Sequence, residues 1–434
     1  MYVSAKEYVS PRASKLEIFA WCMYDFANSC FTTVIVTAFY VLYFKEVVIP
    51  RGYPREEGDF FWGLNVSLSM LFVALSSPIL GAVADYSGSK KKFLRFYSLQ
   101  CIIFTGLLFF VQEGDIIPGM LFFILANIGF EGGIVFYNAF LPEISTSENI
   151  GRISGYGWAL GYFGGLTCLL LVLPLVSGGF TPENLLNCRL SFVVVALFFL
   201  IFSLPTFLFL KERAVPKAPP AGQSYIRAGF LMLYDTFREI KRYRELLKFL
   251  LAFFLYNDAI ATIIAFSAAF AQDTLHFTVR ENIILIIVIN ITAAIGAFLF
   301  GFLVDRIGAK RTISVTLLIW IVVVITAYFA QTKAAFWIIA NIAGTAIGSS
   351  QSASRSLIGS FSPKEKSAEF FGFEAVCGRF SAIIGPLVFG TVSSLTGNQR
   401  YAVLSIGFFF VIGLILLQRV NEQEGIKAAR LAEQ

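Results

Sequence analysis

Apolar runs long enough to cross a bilayer follow one another along almost the whole sequence: about 17–43, 60–84, 94–111, 117–141, 152–176, 190–210, 246–271, 282–304, 312–330, 335–358, 369–395 and 400–418. Roughly 18 or more apolar residues suffice to span the hydrocarbon core as a helix. Inside that core every backbone N–H and C=O must find a partner, which leaves only helices and closed barrels. These runs are continuously apolar and do not alternate, so the expected fold class is an all-α membrane protein with twelve transmembrane helices. Only 14% of the residues are charged, against about 25% in soluble proteins. The first run is not expected to be a cleaved signal, because it is too long, contains Asp25 and lacks a small-residue cleavage site.

One stretch occurs twice. Gly81-Ala-Val-Ala-Asp85-Tyr-Ser-Gly88-Ser-Lys90 recurs as Gly301-Phe-Leu-Val-Asp305-Arg-Ile-Gly308-Ala-Lys310-Arg311. Each copy closes one apolar run and opens the next. The chain therefore reads as a duplication: a six-helix half over 1–210, a cytoplasmic linker with an amphipathic helix over 211–245, and a second six-helix half over 246–434. Counted by loop, 25 Lys and Arg fall on the side of both termini and 7 on the other. The positive-inside rule then places both termini and both repeats in the cytoplasm. The net charge of +6 follows from this topology, and no nucleic-acid partner is needed to explain it. In the linker, Pro216, Pro219 and Pro220 indicate an extended segment. Tyr225 to Leu247 reads as a helix with Phe230, Leu233, Phe237 and Ile240 on one face, lying on the anionic membrane surface. The six cysteines form no CxxC pair and imply no disulfide framework.

Ionisable side chains inside spans are costly and point to function. There are four acids (Asp25, Glu131, Asp258, Glu374) and two bases (Arg355, Arg379). The contexts Tyr24-Asp25 and Tyr256-Asn257-Asp258 echo each other in spans one and seven, about 15 Å into the bilayer at a rise of about 1.5 Å per residue. Polar stripes at helical spacing fall in spans one (Asp25, Asn28, Ser29, Thr32), four (Asn127, Glu131, Asn138), seven (Asp258, Thr262) and ten (Asn341, Thr345, Ser349, Ser352, beside Arg355). A lone Asn, Ser or Thr in a span is usually interhelical glue, so the stripes weigh more than any member. The expected substrate and proton pathway comprises Asp25, Asn28, Glu131, Asn138, Asn257, Asp258, Arg355, Glu374 and Arg379. Glu374 is expected to pair with Arg355 on the neighbouring helix. Gly157, Gly161 and Gly165 form a small-residue packing face in span five, and Gly385-Pro386 allows span eleven to bend. There is no GxxxxGK[ST] loop, and the single histidine, His276, excludes histidine triads and histidine metal clusters. No enzyme activity, metal or cofactor is expected, and proton handling would fall to carboxylates.

The doubled motif resembles the helix 2–3 loop signature of the major facilitator superfamily, carried here by Gly81, Asp85, Gly88 and Lys90 and by Gly301, Asp305, Gly308, Lys310 and Arg311. More narrowly, Tyr24-Asp-Phe-Ala-Asn28, Tyr137-Asn-Ala-Phe-Leu-Pro142-Glu143, the glycines of 155–165, Tyr256-Asn-Asp258 and Ser350-Gln-x-x-Ser-Arg355 resemble the vacuolar-effluxer (autophagy-related amino-acid exporter) branch and its bacterial relatives. The resemblance implies a major facilitator fold, a monomeric secondary carrier, amino acids or similar small metabolites as cargo, and protons as a coupling ion. The chain is compact, so a bacterial cytoplasmic membrane is expected. Tyr162 follows Gly161 where the antiporter signature has proline, so that motif does not support export by antiport. The alternatives are a drug or metabolite exporter of the same fold, and a non-transporting membrane receptor or scaffold. The repeat motifs are expected to form the cytoplasmic gate, with Asp85 and Asp305 each meeting a helix N-terminus or a basic residue of the other half.

Overall fold

The computed structural model describes residues 13–50, 55–217, 224–239 and 241–433. Pro219, Pro220 and Ile240 lie outside the described residues. Every apolar run is helical. The spans are α1 (Lys15–Val48), α2 (Arg55–Ser87), α3 (Lys90–Leu107), α4 (Ile116–Asn138), α5 (Ile150–Val176), α6 (Leu185–Phe209), α7 (Arg244–Leu275), α8 (Val279–Ile307), α9 (Ala309–Phe329), α10 (Lys333–Phe361), α11 (Ser367–Ser381 and Ile384–Thr396) and α12 (Gln399–Gln418). Among the described residues, eleven are long and apolar enough to cross a membrane by length and composition. The exception is α10, whose 29 residues bury Ser349, Ser350, Ser352, Ser354, Ser356 and Arg355. Most of these hydroxyls bond a carbonyl one turn back, as Ser354 does to Ser350 and Ser356 to Ser352. A polar helix is stable in the bundle when its polar groups are satisfied this way and face protein.

Two spans are irregular. In α1 the ladder widens into π-helical turns over Phe31–Ala38 and Phe44–Val48. Such turns are rare and concentrate at functional sites. In α11 the helix stops at Ser381 and restarts at Ile384, just before Gly385-Pro386. The proline has no N–H to continue the ladder, so the break falls where sequence chemistry allows it.

The linker helix is shorter than its periodicity suggests. It covers Tyr225–Arg238 and is separated from α7 by a turn. Its small-residue side packs on protein: Ala228 is buried, and a Cβ on Gly229 would lie 2.9 Å from the Val83 nitrogen of α2. Ile226, Phe230 and Tyr234 on another side are exposed. The helix thus docks on α2 through small residues.

The first six and last six spans meet mainly through two helix pairs, α2 with α11 and α5 with α8. Contact is close at the end of the bundle that carries the basic loops, here the basic end. A Cβ on Gly301 of α8 would fall 2.8 Å from the Gly151 oxygen of α5. The second glycine face of α5, Gly157 and Gly161, packs instead on Asp25 and Ser29 of α1.

Candidate functional site

Two layers of polar chemistry join the halves. The first lies at the basic end and is built from the repeats. Gly88 and Gly308 adopt positive φ (56° and 92°), the turn that ends one helix and starts the next. This leaves Asp85 and Asp305 in the last turns of α2 and α8. The Asp85 carboxylate accepts from the backbone N–H of Ala368 (3.2 Å) and Glu369 (2.8 Å), the first turn of α11. The Asp305 carboxylate accepts from the N–H of Gly151 (2.8 Å) and Arg152 (3.3 Å), the first turn of α5, and from Arg152 Nε at 2.7 Å. Each aspartate thus caps a helix of the other half. Free N–H groups and the positive end of the helix dipole both favour a carboxylate there.

The two caps differ in what surrounds them. Lys90 is fully buried, pairs with Glu143, lies 3.6 Å from Asp85, and donates to Ser367 Oγ (2.9 Å) and the Lys364 oxygen (3.3 Å). Lys310 instead reaches the Gln418 oxygen at 3.0 Å, within its own half. Gly81 faces the Ala368 backbone and Gly301 the Gly151 backbone, while Arg311 at the start of α9 is exposed. Behind the turns, Glu212 accepts from the Lys90 and Lys91 amides (2.6 and 3.0 Å), and Glu422 from those of Ala309 and Lys310 (2.8 and 3.3 Å). Burial raises the Glu212 carboxyl above its usual range, against the pull of those amides.

The second layer lies further into the bundle than the repeats. Arg355 of α10 is 5% exposed and binds three helices of the other half. Its Nη1 donates to Asp25 of α1 at 2.8 Å and to Asn138 of α4 at 3.3 Å. Its Nε and Nη2 donate to the hydroxyl and carbonyl of Ser154 of α5, at 3.0 and 2.7 Å. Trp21, Trp158 and Tyr137 surround the guanidinium, with ring centroids 4.9, 5.3 and 5.6 Å away. Aromatic faces attract a desolvated cation, and most of the donors are used. Close approach depends on Gly157, where a Cβ would sit 2.6 Å from Asp25 Oδ2. The second ion pair joins Arg379 of α11 to Glu131 of α4. Arg379 keeps its Nε unbonded and its side chain 21% exposed.

The sequence-level pairing of Glu374 with Arg355 is therefore corrected. Arg355 is taken by Asp25 across the interface, and Glu374 feels Arg379 first, then Glu131, with Arg355 a lesser neighbour and not its ion-pair partner. The reason is geometric. The serine-rich stripe carrying Arg355 turns toward α5, and the α11 face turned to α4 carries Arg379. Nor does Asp258 mirror Asp25. It is fully buried in α7 and accepts from the Gly385 N–H at 2.7 Å, so it caps the second segment of α11 in its own half. Its Oδ1 has no hydrogen-bond partner. Asn257 donates to Ser381 on the other side of the same break at 2.9 Å. Asn28 is buried and accepts weakly from Ser29 at 3.5 Å. Asp25, Glu131, Asn138, Glu374, Arg355 and Arg379 are thus brought together, while Asn257 and Asp258 brace the α11 break. Sequence reasoning missed Trp21, Ser154 and Trp158, and only the helical spacing of Trp21 to Asp25 could have signalled one of them.

Comparison with known proteins agrees with this architecture. The family description "Vacuole effluxer Atg22 like" matches residues 61–430. An uncharacterised MFS-type transporter of Bacillus subtilis, YxiO, is 32% identical over 93% of this chain and 94% of its own. Autophagy-related protein 22 of Yarrowia lipolytica is 25% identical over 85% and 76%. The human organic anion transporter MFSD10 superposes with a TM-score of 0.73 over 93% of this chain and 99% of that one, at 13% identity, which is a likeness of fold. The match over most of the length, the relatives and the twelve-span fold agree, and the chain belongs to the vacuole effluxer Atg22-like family of major facilitator transporters.

Proposed function

We propose that the chain moves small zwitterionic metabolites, amino acids first among them, by alternating access, with the basic end in the bacterial cytoplasm. The observation that carries this reading is the pair of opposite-sign contacts beyond the repeats, Asp25–Arg355 and Glu131–Arg379, each with its acid on the first half and its base on the second. A zwitterion offers one group for each sign and can replace one such pair without leaving a charge bare. The polar locks and close contacts described above run from the basic end to the second layer. Beyond them, Thr32, on the same face of α1 as Asp25 and about two turns further out, is exposed. The locks and close contacts support a resting state closed toward the cytoplasm.

The two arginines divide the work. Arg355 is saturated and buried, so it serves as the central lock between the halves. Arg379 is less enclosed, with its side chain 21% exposed, so it is the group that meets a substrate carboxylate, with Glu131 or Glu374 facing the ammonium. Glu131, Glu374 and Asp258 are the carboxylates available to couple transport to protons. The positive-inside bias supports the proposed orientation. Uptake of labelled amino acids into liposomes holding the purified protein, without ATP and at two pH values, tests the reading. Competition by amino acids with a loss of uptake in Arg379→Gln supports it. Competition by lipophilic cations alone would favour the drug-exporter reading.

A further inference from the structure

Glu369, in the first turn of α11, lends its backbone N–H to Asp85, but its side chain takes part in neither polar layer described above. Its side chain is completely buried, and both carboxylate oxygens lack a hydrogen-bond partner. The nearest backbone donors are turned to another acceptor. The Ala368 and Glu369 amides go to Asp85. The Thr236 hydroxyl, beside Glu369, donates to the Met232 oxygen (3.1 Å) and accepts from Lys366 Nζ (2.9 Å). Lys366 Nζ also sits 5.6 Å from the centre of the Tyr243 ring. The charged and titratable groups that face Glu369 are Lys366 from the turn before α11, Asp85 from α2 and Tyr243 before α7.

Two physical arguments then fix its protonation. An ionised carboxylate with no donor, taken wholly out of water, costs several kcal/mol, whereas the acid form avoids most of that cost. The neighbouring charges agree: Asp85 places a like charge beside Glu369, and Lys366, which opposes it, is only half-buried. The helix dipole would favour an anion at this position, but Asp85 already occupies its N–H groups and adds a like charge.

We infer that Glu369 is a proton-binding site of the basic end, holding a proton while α2 and α11 are in contact and releasing it to the cytoplasm when they separate and water enters. One proton is taken up per closure. This rests on the halves parting at the basic end, and not on any substrate or on the roles of Asp25 and Arg379. The sign follows by linkage. Closure binds the extra proton, so acid favours the closed state. The open-to-closed ratio should rise up to tenfold per pH unit above about 4.3, the ordinary glutamate value reached on exposure.

The test needs no transported ligand. Donor and acceptor dyes on cysteines replacing the exposed Lys92 and Lys364, in full-length protein with its native cysteines substituted, report the width of the basic end. In lipid nanodiscs the wild type should pass from narrow to wide as pH rises. Glu369→Gln, a permanent copy of the neutral form, should stay narrow across the range. Lys366→Gln removes the cation that favours the anion and should move the midpoint to higher pH. Infrared difference spectra should show a protonated carboxyl band at low pH that is lost in Glu369→Gln. A wild type whose width ignores pH, or a Glu369→Gln protein that keeps the wild-type pH response, would overturn the inference. If Glu369→Gln does not fold, an unmoved midpoint in Lys366→Gln would overturn it as well.

Discussion

Replacing Arg355 by Gln should open the basic end. Arg355 makes its contacts to Asp25, Asn138 and Ser154 across the interface, so they exist only while the halves are together. Removing one partner of a buried ion pair costs about 3–5 kcal/mol, because the other charge is left bare. The Asp25 side chain keeps 13% exposure, so water recovers part of this and the lower end applies. The whole penalty falls on the closed state. A loss of about 3 kcal/mol shifts the closed-to-open ratio roughly a hundredfold at about 1.4 kcal/mol per tenfold. The dye pair at positions 92 and 364 measures that ratio directly. Asp25→Asn should shift it less, because Arg355 retains Ser154 and Asn138. In the double variant the effects should fall short of additive by at least about 1.5 kcal/mol, as direct charge partners do. An unchanged ratio in Arg355→Gln, or single effects that simply add, would refute a lock made of this pair.

Three further outcomes follow from the geometry. Arg379→Gln should raise the half-saturating concentration of a carboxylate substrate by tenfold or more, or abolish uptake, while the width of the basic end shifts less than in Arg355→Gln; equal shifts would make Arg379 a second lock. Gly301→Leu should hold the basic end wide, because its first carbon alone would lie 2.8 Å from the Gly151 oxygen; a narrow reading in the dye assay would contradict the close-contact account. Asp258→Ala should lower the melting midpoint through loss of about 1 kcal/mol of helix capping at Gly385, and Asp258→Asn, which keeps an acceptor, should lose less. Equal melting for all three proteins would remove the capping role.

Much of the architecture was legible in the sequence, for identifiable reasons. Twelve long apolar runs leave backbone polarity no alternative but helices. Span ten could be read despite its serines because they recur at helical spacing. Asp85 and Asp305 were placed at helix ends by the glycines around them, and a carboxylate at a helix end seeks another helix's free amides. What could not be read was which partner each charge would take. Glu374 and Arg355 sit on adjacent helices, yet Arg355 turns across the interface to Asp25, because rotation of a helix about its axis is set by packing of the whole bundle. Asp25 and Asp258 share a local sequence context, but α11 breaks beside one of them and its free N–H captures that carboxylate. Periodicity showed the large apolar face of the linker helix but could not show that the helix ends at Arg238 or that it docks through the small residues Ala228 and Gly229. Glu369 was not among the site residues read from the sequence, because nothing in its sequence context marks its burial.

The central claim is that one site is presented to the two sides in turn, and counterflow tests it most directly. Liposomes containing the purified protein are loaded with an unlabelled amino acid that the uptake screen identifies, then diluted into a trace of the labelled form without ATP. The account predicts a transient accumulation of label above equilibrium, greatly slowed in Gly301→Leu, whose halves cannot close at the basic end. Entry of label that never exceeds equilibrium and is indifferent to internal substrate would contradict alternating access.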